Sequence, residues 1–343
     1  MEFGSPARIW WLPESFYTLK NLKAVKLDHV MMGADGPVSL PSLKILQLRQ
    51  VVIEDFEMLS KLISGCPALE SLDLHDCLIE YGNENDILAA SLPSLRNFKI
   101  YVDIGGELCD IEIEAPNLEH VVLLCFADVK FLGSSPLSCL HSARVDTGES
   151  RTISTHCLMG LLTQISNAKE MSLDWPTLES LLGLDDVQLP VFPHLTHLTI
   201  QPVGTSCILH SLLHSASKLQ ALVIDLEMAD YPMVWEQLEP PSAPKCLLSS
   251  LEEIEIKGLS ADKYGIKMVA YLLKAGAVLK KVNIRAHARI DREKNRELAS
   301  LLRRLPKGSS ACDVRLLHCS KDMSISVDDD DHEEFENEFD RDS

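Results

Sequence analysis

The chain has 343 residues, enough for a sizeable core, yet only 6 % are aromatic, so aliphatic side chains must do the packing. Lys+Arg 32 against Asp+Glu 51 gives a net charge of −19, which repels phosphate backbones and anionic lipid and excludes nucleic acid and membrane surfaces as expected partners. Ten cysteines, scattered singly with no CxxC pair, fit reduced thiols, and with no signal-peptide pattern or run of roughly 20 apolar residues the expected location is cytoplasmic and/or nuclear.

Residues 1–11, MEFGSPARIWW, read as an N-terminal extension, either a cloning remnant or a residual cap. Trp10 and Trp11 either pack on the first strand or lie over its open end. From residue 12 a frame of the form L-x-x-L-x-L, often preceded by Pro, keeps returning. It reads LKAVKL from Leu22, LKILQL from Leu43, LESLDL from Leu69, LRNFKI from Leu95 and LEHVVL from Leu118. Weaker copies follow as LHSARV from Leu140 and AKEMSL from Ala168. Strong ones resume as LTHLTI from Leu195, LQALVI from Leu219, LEEIEI from Leu251 and LKKVNI from Leu279.

The mean spacing of these starts is about 26 residues, inside the leucine-rich-repeat period of roughly 20–29. Alternation at period 2 within the frame sends its two apolar residues into a core and their neighbours outward. Stretches between frames, such as DFEMLSKLISG and GIKMVAYLLKAG, repeat apolar residues at 3 and 4, as helices on the other side require. Pro41, Pro67, Pro93, Pro116 and Pro193 stand two residues before their frames, where no ladder donor is needed. Gly65 and Gly276 end helical patterns and are expected to be left-handed caps. The predicted fold is therefore an α/β leucine-rich-repeat solenoid of about eleven irregular repeats. It has a curved parallel β-sheet on the concave face, helices on the convex face, and a disordered acidic C-terminal tail.

That tail holds ten carboxylates against Arg341 between residues 328 and 343, and reads as solvated chain. The division by residues is 1–11 for the extension, 12–234 for the repeat region, 235–318 for the last repeats and 319–343 for the tail. The outward strand positions form the expected protein-binding face. They are Lys26, Gln47, Arg49, Asp73, His75, Lys99, Tyr101, His120, Arg144, Asp174, His197, Gln201, Asp225, Glu255, Lys257, Asn283 and Arg285. Their mixture of both charges with His and Tyr suits a protein ligand better than a polyanion.

Chemistry is harder to find. His210 and His214 share a helix face at a spacing that suits zinc, but no third ligand stands nearby. His194 and His197 flank a strand start, with His197 pointing outward. Asp185 with Asp186, and Asp73 with Asp76, read as solvated turns rather than acid–base pairs. With no GxSxG and no glycine-rich phosphate loop, the expectation is no enzyme, no cofactor and no metal.

Three segments carry a family resemblance. LPSLKILQLRQVVIEDFEMLSKLISGCPALESLDLHDC at 40–77 pairs a helix ending in Ser-Gly-Cys-Pro with the next leucine frame. APNLEHVVL from Ala115 is similar to another recurrent segment. The stretch from Trp235, with CLLSSLEEIEIKG, LLKAGAVLKKVNI and the ending LLRRLPKGSSACDVRLL, looks like an FBD domain. Together they resemble the plant F-box proteins with leucine-rich repeats and an FBD domain.

That resemblance implies selection of a target protein for a cullin–RING (SCF-type) ubiquitin ligase, whose Skp-type adaptor is bound by an F-box. LPESF at 12–16 stands too close to the first frame to open an F-box, and none is visible in this chain. The Skp-type adaptor is accordingly expected as a partner only if the full gene product supplies an F-box. The alternative reading is an interaction or decoy protein without a ligase role.

Overall fold

The computed structural model describes residues 10–81, 87–101, 110–124, 129–132, 136–148, 155–181, 189–201, 206–227, 242–260, 262–288, 290 and 292–317. The acidic tail, Asp185 and Asp186, and the boundary expected at 234 and 235 lie outside them.

In chain order the first half comprises β1 (Trp10–Trp11), a 3-10 turn (Glu14–Thr18), β2 (Ala24–Asp28), β3 (Val30–Met32), β4 (Ile45–Arg49), β5 (Val52–Asp55) and α1 (Phe56–Ser64). It continues with β6 (Ser71–His75), β7 (Leu78–Tyr81), β8 (Ile87–Ser91), β9 (Asn97–Tyr101), β10 (Asp110–Glu114), β11 (His120–Leu124) and β12 (Val129–Leu132). The second half begins with β13 (Ser142–Asp146), α2 (Thr155–Gln164), β14 (Glu170–Leu173), α3 (Trp175–Glu179), β15 (His197–Ile200), α4 (Ser206–Ser215) and β16 (Ala221–Asp225). It ends with α5 (Lys245–Ser249), β17 (Glu253–Leu259), α6 (Lys263–Ala275), β18 (Lys281–Ala286), α7 (Arg292–Arg304) and β19 (Asp313–Leu317).

Each of the eleven frames opens a strand, and DVRLL adds another that frame counting does not give. These strands form one twelve-stranded sheet in the order β19-β18-β17-β16-β15-β14-β13-β11-β9-β6-β4-β2, with every pairing parallel. Register follows the frame: Gln47 faces Asp73, which faces Lys99. Like positions therefore stack, and the alternate residues Leu46 and Leu48, Leu72 and Leu74, Phe98 and Ile100 make continuous buried rows. The leading leucines from Leu43 to Leu279 and Ala168 form a third such row, each at most 3 % exposed.

Two backbone devices repeat with the frame. The carbonyl of its second residue accepts two N–H groups from the next unit, as Lys44 O does from Glu70 (2.8 Å) and Ser71 (2.9 Å). After β2, β4 and β6 comes a non-glycine residue with left-handed backbone: His29 (φ 53), Gln50 (φ 49) and Asp76 (φ 50). The N–H of each donates to the last carbonyl of the neighbouring strand, Arg49, His75 and Tyr101 respectively, at 2.8–3.1 Å. These bonds satisfy the turns between units that lack a consensus Asn. The prolines serve the other turn. Pro41 sits at the second position of a turn closed by Leu43 N–H to Leu40 O, where its fixed φ is pre-set.

The far side corrects the expectation of helices throughout. In the first half, the return is mostly extended: β1-β3-β5-β7 form a four-stranded parallel sheet and β12-β10-β8 a three-stranded one, with α1 the only α-helix among the described residues. Frame spacings contribute to this. From Leu22 to Leu140 they are mostly shorter than from Leu140 onward. An extended residue advances about 3.3 Å against 1.5 Å in a helix, so a shorter return favours strand, although the 24-residue unit from Leu195 still accommodates α4.

Gly65 and Gly276 are a second correction, since their φ values of −73 and −77 are not left-handed. Gly65 is required by crowding. A Cβ there would stand 2.6 Å from the Val38 carbonyl oxygen. Among the described residues no helix is long and apolar enough to cross a membrane.

Candidate protein-binding face

Three outward columns cover the sheet opposite its buried rows, because the in-register pairing repeats each frame position on every strand. The central column contains Lys26, Gln47, Asp73, Lys99, Arg144, Glu255 and Asn283, and the next contains Arg49, His75, Tyr101, Gln201, Asp225, Lys257 and Arg285. His120 and His197 lie in the first column, on β11 and β15. All sixteen of these are half-buried or exposed.

Asp174 is the exception and a correction. It continues the same column just beyond β14 but is only 7 % exposed, because its carboxylate turns inward to cap α3, accepting the Thr177 N–H at 3.0 Å. Burial and the adjacent Asp146 carboxylate hold its carboxyl well above the usual range. A side chain committed in this way is no contact residue.

The face is not uniform. At its N-terminal third, Arg49, His75 and Tyr101 stand on adjacent strands, and the His75 and Tyr101 rings stack at 4.4 Å between centroids with planes 5° apart. His75 Nδ1 also lies 3.2 Å from an Asp76 carboxylate oxygen. Tyr101 is 40 % exposed despite the stack, so a flat aromatic surface flanked by Arg49, Asp73 and Lys99 is presented to solvent. Tyr and Arg are among the residue types in which binding energy at protein interfaces is concentrated.

The middle of the face is smoother. Val122, Leu124, Ser172, Thr199 and Val223 occupy the same columns, and all are half-buried. Arg144 is the exposed charge among them. His120 accompanies it, its Nδ1 2.8 Å from Ser142 Oγ, and desolvation followed by the nearby His141 pushes its pKa down, favouring the neutral ring. Toward the C-terminal end Arg285 pairs with Glu255 at 3.4 Å.

The apolar middle is reached by the same frame count, but Val122, Leu124 and Val223 carry no polar side chain to mark them as a contact surface. The second frame position lines one edge of the sheet with ion pairs. Lys44 meets Glu70 at 2.7 Å, Lys280 meets Glu252 at 2.6 Å, and Arg96 pairs with Glu119. Exposed pairs of this kind contribute roughly 0–1 kcal/mol each and serve register more than stability.

The other candidates resolve as local structure. His210 and His214 on α4 place their Nε2 atoms 3.2 Å apart, and desolvation with the neighbouring ring lowers the His210 pKa. No group of three or more metal-ligating side chains occurs among the described residues. His197 is exposed, its Nδ1 2.9 Å from Thr196 Oγ1. Cys77 donates its thiol to the Leu48 carbonyl at 3.4 Å, and burial pushes its pKa up to about 12. Burial of this kind keeps the thiol protonated and lowers its nucleophilicity.

Comparison with known proteins agrees with this architecture. Residues 3–135 match the family model described as FBD-associated F-box protein At5g56370, LRR repeats, and residues 239–284 match the FBD model. No F-box is matched in the chain. It is 32 % identical over 304 residues to the putative F-box/FBD/LRR-repeat protein At5g44950 of Arabidopsis thaliana, covering 81 % of this chain and 66 % of that protein. It is 31 % identical over 336 residues to the F-box/FBD/LRR-repeat protein At2g26030 of the same plant, covering 90 % of this chain and 73 % of the relative. The F-box/LRR-repeat protein 13 of Arabidopsis thaliana is 29 % identical over 325 residues, covering 89 % of the chain and 70 % of the relative. The chain thus spans about two thirds to three quarters of the length of these relatives.

Proposed function

Because the chain belongs to the plant F-box/FBD/LRR-repeat family, we propose that it is a protein-interaction module that selects a target protein on the outer face of its twelve-stranded sheet. In this reading the strands and their returns form a leucine-rich-repeat solenoid of about eleven irregular units, and the outer face is its concave side. The last units, from about residue 235, make the FBD part. The working compartment is the cytoplasm and/or the nucleus.

The observation that carries the proposal is the stacked His75–Tyr101 surface beside Arg49, Asp73 and Lys99, continuous with an apolar strip at Val122 and Leu124. A ring held flat by a neighbour offers contact area at little conformational cost, and a desolvated apolar patch with charges around it is the usual anatomy of a binding centre.

Recruitment of a cullin–RING ligase through a Skp-type adaptor is a separate property that an F-box would carry. The proposed test treats the two apart. Affinity capture from plant extract with the native chain is compared with the variant Lys99→Glu/Arg144→Glu, both substitutions lying on the face and neither in the core. A protein held by the native chain and lost from the folded variant identifies target and face together. Retention of every captured protein by the variant would contradict the proposed face. Adaptor binding, measured separately with purified components, distinguishes a ligase subunit from an interaction or decoy protein.

A further inference from the structure

The last strand of the sheet is unlike the ones before it. Val314 and Leu316 of β19 occupy the same inward rows as Val282 and Ile284 of β18, which are at most 1 % exposed, yet both are only half-buried. No further strand covers them among the described residues, because β19 ends the sheet. Together with Leu302 of α7 they floor a cleft of about 630 Å³.

The rim of this cleft is basic. Arg296 and Arg303 from α7 and Lys307 from the following turn line it, in a chain whose net charge is −19. Arg296 and Arg303 form no ion pair among the described residues. Asn295 also lines the cleft, with its Oδ1 buried and without a hydrogen-bond partner among the described residues. A repeat stack normally closes such an end, since exposed inward rows cost hydrophobic free energy and invite association.

We propose that the acidic C-terminal segment of this same chain, residues 328–343, folds back into the α7–β19 cleft and closes the end of the stack. Charge and length select this occupant. The segment holds ten carboxylates against one arginine, with Phe335 and Phe339 spaced among them. Carboxylates meet Arg296, Arg303 and Lys307 at the rim, and the two rings cover Leu302, Val314 and Leu316. Position favours it as well. β19 ends at Leu317, beside the cleft, and the ten residues before Asp328 reach up to about 35 Å when extended, while thirteen-residue α7 is about 20 Å long. A tethered segment presents itself at a millimolar-scale effective concentration, which an acidic partner in trans would have to exceed.

Zero-length carbodiimide coupling tests this on the full chain, since it joins a carboxylate only to an amine in contact with it. Products are mapped by mass spectrometry in a mixture of ¹⁵N-labelled and unlabelled chain, which separates bonds within one molecule from bonds between two. The expected product joins carboxylates of 328–342 to Lys307 within one chain. Its yield falls about fivefold or more in the variant Arg296→Glu/Arg303→Glu and in about 0.5 M salt, where charges are screened beyond a few ångströms. Both arginines are exposed, so circular dichroism should show the variant folded, and the salt arm needs no variant. Coupling that is undiminished by both treatments, occurs only between chains, or joins the segment chiefly to lysines away from the cleft would overturn the proposal.

Discussion

A left-handed backbone at a residue other than glycine recurs at His29, Gln50 and Asp76, each tied to the next unit by its N–H. Gln50 lacks the short polar side chain that eases this conformation, and a β-branched residue there would be worse. Gln50→Val is expected to lower stability by about 1–2 kcal/mol in urea denaturation, whereas Gln50→Gly leaves it unchanged or higher. Asp174 supplies a prediction of opposite origin. Its carboxyl, ordinarily near 3.8, is pushed up to about 7 by burial and by the Asp146 carboxylate. The folded chain therefore keeps a proton that the unfolded chain releases from about pH 4 upward. Stability from this site is fully present below that pH and is lost as pH rises through neutrality. Asp174→Asn keeps an N-cap oxygen but cannot ionise, so the decline in denaturation midpoint between about pH 5 and pH 8 should be clearly smaller in the variant. An unchanged decline would assign the pH dependence elsewhere.

At the scale of elements, the strands were legible and their returns were not. A frame such as LKILQL carries both its period and its inward residues, and its pairing follows because like frames stack in register. The return carries no such rule. The 26-residue unit from Leu69 returns as β7 and β8, whereas the 24-residue unit from Leu195 returns through α4, so spacing alone does not decide the return. Direction was also legible where depth was not: frame counting put Asp174 in an outward column, but its commitment to the α3 N-terminus depends on a turn the period does not encode. At Gly65 contact, not a left-handed backbone, requires the glycine. Gly65→Ala places a methyl against the Val38 carbonyl and is expected to cost about 1–3 kcal/mol, although Ala is the better helix former. In the shared rows, Phe98→Ala at 1 % exposure should cost about 3–5 kcal/mol and lower the urea midpoint without moving the strand register.

Across the whole molecule, one hydrogen-bonded sheet runs from β2 to β19, through the region that matches leucine-rich repeats and the one that matches FBD. The FBD part therefore extends the same face rather than adding a detached domain, and β16 pairs with β17 over five residues near their junction. A long continuous face with a concentrated aromatic and charged region at one third, an apolar middle and an ion pair near the far end fits recognition of an extended protein surface. Binding energy should then be concentrated around Tyr101 and fall away toward the sheet edge. The most direct measurement is calorimetric titration of the captured target with the native chain, with Tyr101→Ala, and with Lys44→Glu on the edge row of ion pairs. The account predicts that Tyr101→Ala weakens binding about tenfold or more while Lys44→Glu changes it less than about threefold. A native affinity for Tyr101→Ala, with loss in Lys44→Glu, would contradict recognition on the sheet face.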